Sequence, residues 1–149
     1  MNKLLLLLIT ILFFSCKQQQ SSEATYSTSE KFKSMNLPFS EAVIVGNTIY
    51  LSGQIGNMPG QLSVVEGGIK EETKQAFENI KQVLENNGAS VDNIVKCTIM
   101  LADINEWADF NAEYVKYFPG EKPARSAFAT SGLALNARVE IECIAVLKK

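Results

Sequence analysis

The sequence contains no histidine, and this absence excludes several kinds of catalytic site. A Ser-His-Asp triad, a Cys-His dyad and every histidine-ligated metal site need an imidazole. A basic stripe is also lacking, because 14 basic and 16 acidic residues are spread along the 149-residue chain, with a formal charge of −2. Phosphates would not be neutralised by such a surface, so we expect no nucleic acid partner. The length accommodates one globular domain.

The first apolar run is too short for a transmembrane helix. It extends from Leu4 to Phe14 after Lys3, whereas a bilayer span needs roughly 20 residues. This pattern predicts a signal peptide at residues 1–15. The following Ser15-Cys16 resembles the lipobox of bacterial lipoproteins, which implies lipidation of Cys16 and an exported, membrane-anchored protein facing the periplasm or cell surface. An ordinary secretory signal and an uncleaved anchor are the alternatives.

The stretch after the cysteine changes composition. Residues 17–34 read KQQQSSEATYSTSEKFKS and show almost no apolar periodicity, so they lack the apolar surface that ordering requires. We predict a disordered tether over residues 16–35, followed by a single domain at residues 36–149. Removing residues 1–15 takes away Lys3 alone and leaves 13 basic and 16 acidic residues. The expectation of no nucleic acid partner is therefore unchanged.

The first half of the domain indicates a hairpin and a helix. Two β-rich runs, at residues 42–45 and 48–54, flank the turn dipeptide Gly46-Asn47. Between Ile69 and Leu84, apolar residues recur every three or four positions, and Gly88 follows. This spacing predicts an amphipathic helix that ends before the glycine.

The second half predicts a strand at residues 94–101, a helix and a strand at residues 138–147. Asp103 and Glu106 have the spacing of a capping box, which would open a helix reaching Phe118. In the last strand, the alternate residues Val139, Ile141, Cys143 and Ala145 would face the core. The predicted order is β-β-α-β-α-β, with a further extended piece at residues 124–129.

Three polar side chains lie in apolar surroundings. Glu140 is in the last strand, and Arg125 is in the run KPARSAF, where an arginine needs an anionic partner. Taken singly, each could have a structural role. Glu140 could be a solvated edge carboxylate, Arg125 could pair with a surface acid, and the third residue could be a hydrogen-bonded amide in the core. Asn111 is the third, and it shares a predicted buried helix face with Ile104, Trp107, Ala108, Val115 and Phe118.

Four segments in this order resemble the reactive intermediate deaminase (Rid, or YjgF-like) family. The resemblance covers nearly everything from Leu37 onward. It implies a chorismate-mutase-like α+β fold, in which a β-β-α-β-α-β sheet carries two helices on one face. It also implies a homotrimer with ligand clefts between subunits, and cofactor-free hydrolysis of 2-imino acids to 2-oxo acids and ammonia. The segments are SGQI at 52–55, ADINEWADFNAEYVKYF at 102–118, KPARSAF at 122–128 and VEIECIAV at 139–146.

The resemblance also implies roles for the unusual polar residues. Arg125 would bind the substrate carboxylate, which its planar fork suits. Glu140 would position or activate the attacking water, with Glu142 as the weaker candidate. Asn111 and Ser52 would line the cleft. No metal or cofactor is needed, because the carbon of a protonated C=N bond is already electrophilic.

Two positions depart from the family pattern. Phe39, in Leu37-Pro38-Phe39, occupies the place of a tyrosine that reaches the ligand in the family, so the ring stays and the hydroxyl is lost. Ala127 stands where the family often has cysteine, in a stretch whose backbone contributes to binding. Cys97 and Cys143 alternate with apolar residues and are interpreted as small buried hydrophobic residues.

Two classes of function stay open from the sequence. The first is an imine or enamine deaminase acting on small 2-imino acids. The second is a non-catalytic, lipid-anchored trimer that binds small carboxylates. A third and weaker possibility is the ribonuclease or translation-inhibitor activity attributed to some relatives, which the acidic charge disfavours.

Overall fold

Six strands form one mixed sheet in the computed structural model, which describes residues 23–148. Their order across the sheet is β1-β2-β3-β6-β4-β5. The β4 and β5 strands run parallel, and every other neighbouring pair is antiparallel. The strands are β1 (Ala24–Ser27), β2 (Ala42–Val45), β3 (Thr48–Ile55), β4 (Ile94–Leu101), β5 (Ala124–Ala129) and β6 (Val139–Val146).

The predicted hairpin is confirmed. Val45 of β2 pairs with Thr48 of β3, and Gly46 between them has a φ of 63°. This is the left-handed region that glycine adopts at low cost, and a two-residue hairpin turn requires it. The predicted strand at residues 94–101 and the extended piece at 124–129 are confirmed as β4 and β5.

Three α-helices accompany the sheet in the described part of the chain: α1 (Glu30–Lys33), α2 (Ile69–Asn86) and α3 (Trp107–Tyr114). The helix predicted from Ile69 is α2, and it ends just before Gly88, whose φ is 73°. Both α2 and α3 pack on one face of the sheet, as predicted. Phe77 of α2 and Phe110 of α3 are fully buried there, in the same hydrophobic core as Ile99 and Ile141 of the sheet.

The last strand follows the predicted alternation. Val139, Ile141, Cys143 and Ala145 are at most 1% exposed and face the helices. The side chains between them therefore lie on the opposite face of the sheet. This alternation places Glu140 away from the core.

The tether predicted for residues 16–35 is wrong where the structure describes it. All four residues of β1 pair with β2, from Ala24 with Val45 to Ser27 with Ala42. The following α1 begins after Ser29, whose Oγ accepts a hydrogen bond from the N–H of Phe32. An edge strand can form through backbone hydrogen bonds to its neighbour, which a polar composition does not reveal. The signal peptide and Cys16 lie outside the described residues.

The second predicted helix is shorter and differently capped. Two 3-10 turns, at Ile104–Glu106 and Val115–Tyr117, flank α3. Asp103 does cap the first turn, through a 2.9 Å bond from the N–H of Asn105. Glu106 instead accepts a 2.9 Å hydrogen bond from Arg138 Nε. The predicted reciprocal capping box is therefore wrong, because a long-range ion pair holds the glutamate.

The helix face predicted as buried is largely solvent-exposed in the described chain. Ile104 is 50% exposed and Val115 is 42% exposed, whereas Phe110 and Tyr114 are buried. Phe118 is the member of the predicted face that is buried. The core-facing stripe is thus rotated around the helix, since Phe110, Tyr114 and Phe118 recur every four residues. Among residues 23–148, no helix is long and apolar enough to cross a bilayer.

Candidate active site

Arg125 lies on β5 and its guanidinium is held against α3. Arg125 Nη1 donates a 2.9 Å hydrogen bond to Asn111 Oδ1. Its Cζ atom lies 4.7 Å from the ring centroid of Trp107 and 4.5 Å from that of Tyr114. Each contact is a cation–π interaction, which is attractive to a guanidinium. We call these four residues the arginine cluster, and together they fix the plane of the guanidinium fork.

Within the part of the chain that the structure describes, no carboxylate lies at salt-bridge distance from Arg125. The side chain is nevertheless half-buried. An arginine paired with a surface acid is therefore not what the structure shows. With one N–H given to Asn111, the guanidinium keeps further donors for an anion.

Tyr114 contributes an unsatisfied hydroxyl to the same cluster. It is 4% exposed, and its Oη is buried without a hydrogen-bond partner among the described residues. Burial raises the pKa of this phenol well above its usual range, so the ring stays neutral and its face remains available to the guanidinium. A buried hydroxyl without a partner is costly.

Glu140 occupies a different place, on the sheet face opposite the core. Its neighbours Val139 and Ile141 are fully buried on the helix side, so its carboxylate points the other way. The register between β3 and β6 shifts between Leu51 and Gln54, which forms a bulge at Ser52-Gly53. A Cβ atom at Gly53 would overlap Glu140 Oε1. Gly53 is therefore required for the carboxylate to lie where it does.

Burial raises the pKa of Glu140, and the nearby charge of Glu142 raises it further. Both causes disfavour the ionised form. A carboxyl group with a raised pKa exchanges protons more readily near neutral pH than an ordinary glutamate does. Glu142 itself is exposed.

A cavity of about 350 Å³ adjoins Glu140, and we call it the Glu140 cavity. Phe39 forms part of its wall and contacts Phe32 edge-on, with the ring centroids 5.4 Å apart. Ser52 is not in its lining. The Ser52 hydroxyl donates a 2.7 Å hydrogen bond to the carbonyl of Ser40 and borders a neighbouring cavity that Phe39 also lines.

The predicted site residues thus form two groups. Arg125 and Asn111 lie together at the edge of the sheet, with Ala127 half-buried against the core on the same face. Glu140 and Phe39 border the Glu140 cavity on the other side. One chain does not bring Arg125 and Glu140 into one cavity.

Sequence reasoning missed the roles of three residues near these groups. Trp107 and Tyr114 were not assigned to Arg125, although with Asn111 they have the i, i+4, i+7 spacing of one helix face. That spacing was the available signal. Gly53 carries no such signal in the sequence, and only the contact with Glu140 shows its importance.

The two described cysteines are buried, as predicted. Cys97 and Cys143 lie opposite each other on β4 and β6, are at most 1% exposed and have free thiols whose Sγ atoms are 3.3 Å apart. The hydrogen bond with Cys97, together with burial, raises the pKa of the Cys143 thiol. Within residues 23–148, no three cysteine, aspartate or glutamate side chains are grouped as metal ligands.

A family profile described as endoribonuclease L-PSP matches residues 29–147. The match includes α1 and nearly every element of the fold, together with both groups of site residues. It leaves out β1 and the residues before it.

Named relatives and a solved structure resemble the same region. A Bos taurus protein named 2-iminobutanoate/2-iminopropanoate deaminase is 47% identical over 109 residues, which cover 73% of this chain and 80% of the relative. An Arabidopsis thaliana protein named Reactive Intermediate Deaminase A, chloroplastic, is 41% identical over 110 residues, which cover 74% of this chain and 59% of the relative. The crystal structure of yeast Mmf1 superposes with a TM-score of 0.76 at 39% identity, covering 85% of this chain and all of that one.

Proposed function

The chain belongs to the endoribonuclease L-PSP family, which includes the reactive intermediate deaminases, and we propose that it hydrolyses 2-imino acids to 2-oxo acids and ammonia. The observation that carries this proposal is Arg125, a half-buried guanidinium held in a fixed plane without a carboxylate partner among the described residues. A small carboxylate is the ligand that such a fork accepts best.

Substrate binding begins with the carboxylate of the imino acid. Two N–H groups of Arg125 donate to its two oxygens, and the cluster prevents the guanidinium from rotating away. Asn111 holds one edge of the fork, and the rings of Trp107 and Tyr114 hold its face. Because these contacts exist before the ligand arrives, little side-chain entropy is lost on binding.

Hydrolysis then uses Glu140 and water. Ionised Glu140 accepts a proton from the water as its oxygen attacks the iminium carbon, which gives a tetrahedral amino alcohol. Protonated Glu140 returns that proton to the nitrogen, the C–N bond breaks as ammonia leaves, and the ammonia takes the hydroxyl proton as that oxygen becomes the carbonyl of the 2-oxo acid. The raised pKa of Glu140 suits both transfers. The net reaction consumes one protonated imine and one water and releases one 2-oxo acid and one ammonium ion.

Assembly brings the two groups together in this proposal. Arg125 of one copy faces the Glu140 cavity of the next, and three copies form three clefts. The sheet face opposite the helices supports this arrangement, because it exposes Tyr50 (48%) and Phe128 (47%). A neighbouring copy packed on this face would cover these apolar side chains.

We propose in addition that the protein is exported and anchored to a membrane through a lipidated Cys16. The support is the sequence pattern of Lys3, the apolar run and Ser15-Cys16. Two or more acyl chains anchor a protein stably, whereas one chain binds only marginally. The absence of a nucleic acid partner also stays a prediction from charge.

A coupled assay tests the proposed reaction. An amino acid oxidase generates 2-iminopropanoate in the cuvette, and the disappearance of the imine is followed with and without the purified chain. We expect a rate above the spontaneous one, and a reduction of about 10²–10⁴-fold in Glu140→Gln, whose side chain cannot accept the proton. Asp92→Asn, at an exposed position of the 3-10 turn Val91–Asn93 that belongs to neither group, is the control.

The same assay separates the enzyme from a carboxylate-binding protein. If the chain binds 2-oxo acids through Arg125 but leaves imine hydrolysis at its spontaneous rate, the non-catalytic trimer is the better description. The loss of the tyrosine hydroxyl at Phe39 is the feature that favours this second candidate. Unchanged turnover in Glu140→Gln would instead show that another group handles the water.

A further inference from the structure

The walls of the Glu140 cavity are largely apolar. They include Phe32, Met35, Leu37, Phe39, Leu62 and Leu135. Leu62 is 72% exposed, Phe39 50% and Leu135 40%. Such side chains gain free energy when an apolar group displaces the water that covers them.

Charge in the cavity lining is confined to Glu140 among the residues that the structure describes. The other polar side chains there are the neutral amides of Gln54, Asn57 and Gln61. An acidic substrate side chain would therefore find no cationic partner among these residues. A basic one would find Glu140, which the mechanism already uses. Burying an unpaired charge is unfavourable, so the lining selects against acidic substrate side chains in particular.

Leu135 is held in the cavity wall by an unfavourable backbone conformation. Its φ is 55° and its ψ is 24°, and the next residue, Asn136, has a φ of 56°. Asparagine tolerates this left-handed region, but a leucine there is uncommon and costly. Strain of this kind persists where it serves a site. Here it places a branched apolar side chain next to the predicted base.

The position of Glu140 determines which part of a substrate meets these walls. The attacking water lies between its carboxylate and the reacting carbon, and that carbon carries the substrate side chain one bond away. In the proposed assembly, the carboxylate of the substrate points out of this cavity toward Arg125 of the neighbouring copy. A cavity of about 350 Å³ exceeds what the water needs by a wide margin, because one water occupies about 30 Å³ in the liquid.

We propose that the Glu140 cavity binds the substrate side chain, and that the preferred substrates are 2-imino acids with large apolar side chains, such as those formed from leucine, methionine or phenylalanine. This inference rests on the proposed function. A methyl group, as in 2-iminopropanoate, would leave most of the apolar wall in contact with water. In a closed apolar pocket each extra methylene is worth about 10–200-fold in kcat/KM; for this half-open cavity we expect about tenfold in total.

The test compares the imines of leucine and alanine, each generated by an amino acid oxidase with the full-length chain present. We expect kcat/KM for the leucine imine to be about tenfold higher. Leu135→Asn suits the left-handed backbone but removes the apolar wall, so this ratio should fall toward one. Leu135→Met keeps an apolar side chain and should retain the preference. Using the ratio cancels any general loss of folded enzyme.

Leu62→Asn is a second variant that should fold, because Leu62 is 72% exposed. It should lower the same ratio. A wild-type preference for the alanine imine would overturn the inference and leave the proposed function intact. A ratio that neither Leu135→Asn nor Leu62→Asn changes would also overturn it, since the walls would then be covered by something other than substrate.

Product binding separates this inference from the proposed function. Calorimetry with pyruvate and with the 2-oxo acid of leucine measures side-chain preference without turnover. If neither imine is hydrolysed but the leucine-derived 2-oxo acid binds about tenfold more tightly, the deaminase proposal fails and the side-chain pocket is supported. Equal binding of the two 2-oxo acids, or tighter binding of pyruvate, would count against the pocket.

Discussion

Replacing Arg125 is the most direct test of the carboxylate assignment. Arg125→Lys keeps the positive charge but loses the planar fork, and with it the fixed bond to Asn111 Oδ1 at 2.9 Å and the contacts with the two rings. Arg125→Ala loses the charge as well. The two variants therefore separate the contribution of charge from that of geometry.

The expected losses follow from the contacts. Removing one partner of a desolvated charge pair costs about 2–5 kcal/mol, which corresponds to a loss of affinity from about 30-fold to about 4,000-fold at 1.4 kcal/mol per factor of ten. Lysine can still form one hydrogen bond, so we place Arg125→Lys near the lower figure. We place Arg125→Ala nearer the upper one, because no donor remains.

Positioning by the aromatic rings can be measured in the same series. A cation–π contact contributes about 0.5–2 kcal/mol, so Trp107→Ala should weaken 2-oxo acid binding by about 2-fold to 30-fold. Trp107→Phe retains a ring and should recover most of the loss. If Trp107 only stabilised the fold, its substitution would change the amount of folded protein and not the affinity of the folded fraction.

Isothermal titration calorimetry with 2-oxobutanoate, supported by a thermal unfolding curve for each variant, gives the affinities. Lys122→Ala is the matched control, because Lys122 is an exposed cation three residues from Arg125 and bonds only to the nearby carbonyl of Gly120. It should bind like the wild type. If Arg125→Ala binds 2-oxo acids as tightly as the wild type, the carboxylate assignment is wrong and Arg125 has a structural role.

The remaining predictions concern pH, the missing hydroxyl, assembly and location. Glu140 must be ionised to act as a base, and burial and Glu142 raise its pKa, so kcat/KM should fall as the pH drops through that pKa. Glu142→Gln should lower the pKa of Glu140 and move this fall in kcat/KM to lower pH. A pH profile that Glu142→Gln does not move would show that Glu142 does not influence the pKa of Glu140. Phe39→Tyr should raise turnover if the cleft matches that of the family, and unchanged or lower turnover would argue against that match. Light scattering on the detergent-solubilised chain should give a trimer, and Phe128→Glu, at an exposed position, should give monomers without turnover; a wild-type monomer would contradict the shared cleft. Membrane fractionation should find the wild-type protein with membranes and Cys16→Ala in the soluble fraction, and a soluble, full-length wild-type protein would refute lipidation.

The sequence predicted those parts of the fold that depend on local periodicity. Alternation in the last strand places Val139 and Ile141 in the core, and the 3.6-residue spacing from Ile69 defines the buried face of α2. The Gly46-Asn47 turn specifies the hairpin because its backbone conformation is local. These features require only that apolar side chains leave water on one face of an element.

Long-range pairing decided what periodicity could not. The β1 strand is polar, and it exists because β2 offers a free edge to its backbone. The helix face that carries Asn111 was assigned to the core from its apolar neighbours, yet Phe110 and Tyr114 occupy the core instead. A broad apolar surface on a short helix leaves the rotation of the helix to its packing partners.

The candidate site shows the same division. Its residue types were recognisable from the chain, since Arg125 and Glu140 are polar groups in apolar runs that match the motifs of a family. Only the tertiary structure shows that the Arg125 guanidinium lies over two rings and that Glu140 lies over Gly53, 87 positions earlier in the chain. It also shows that the two side chains lie on opposite faces of one sheet. Alternation fixes the relative faces of residues within one strand, but the sequence does not say which strands become neighbours, so the faces of residues on different strands can be compared only in the tertiary structure.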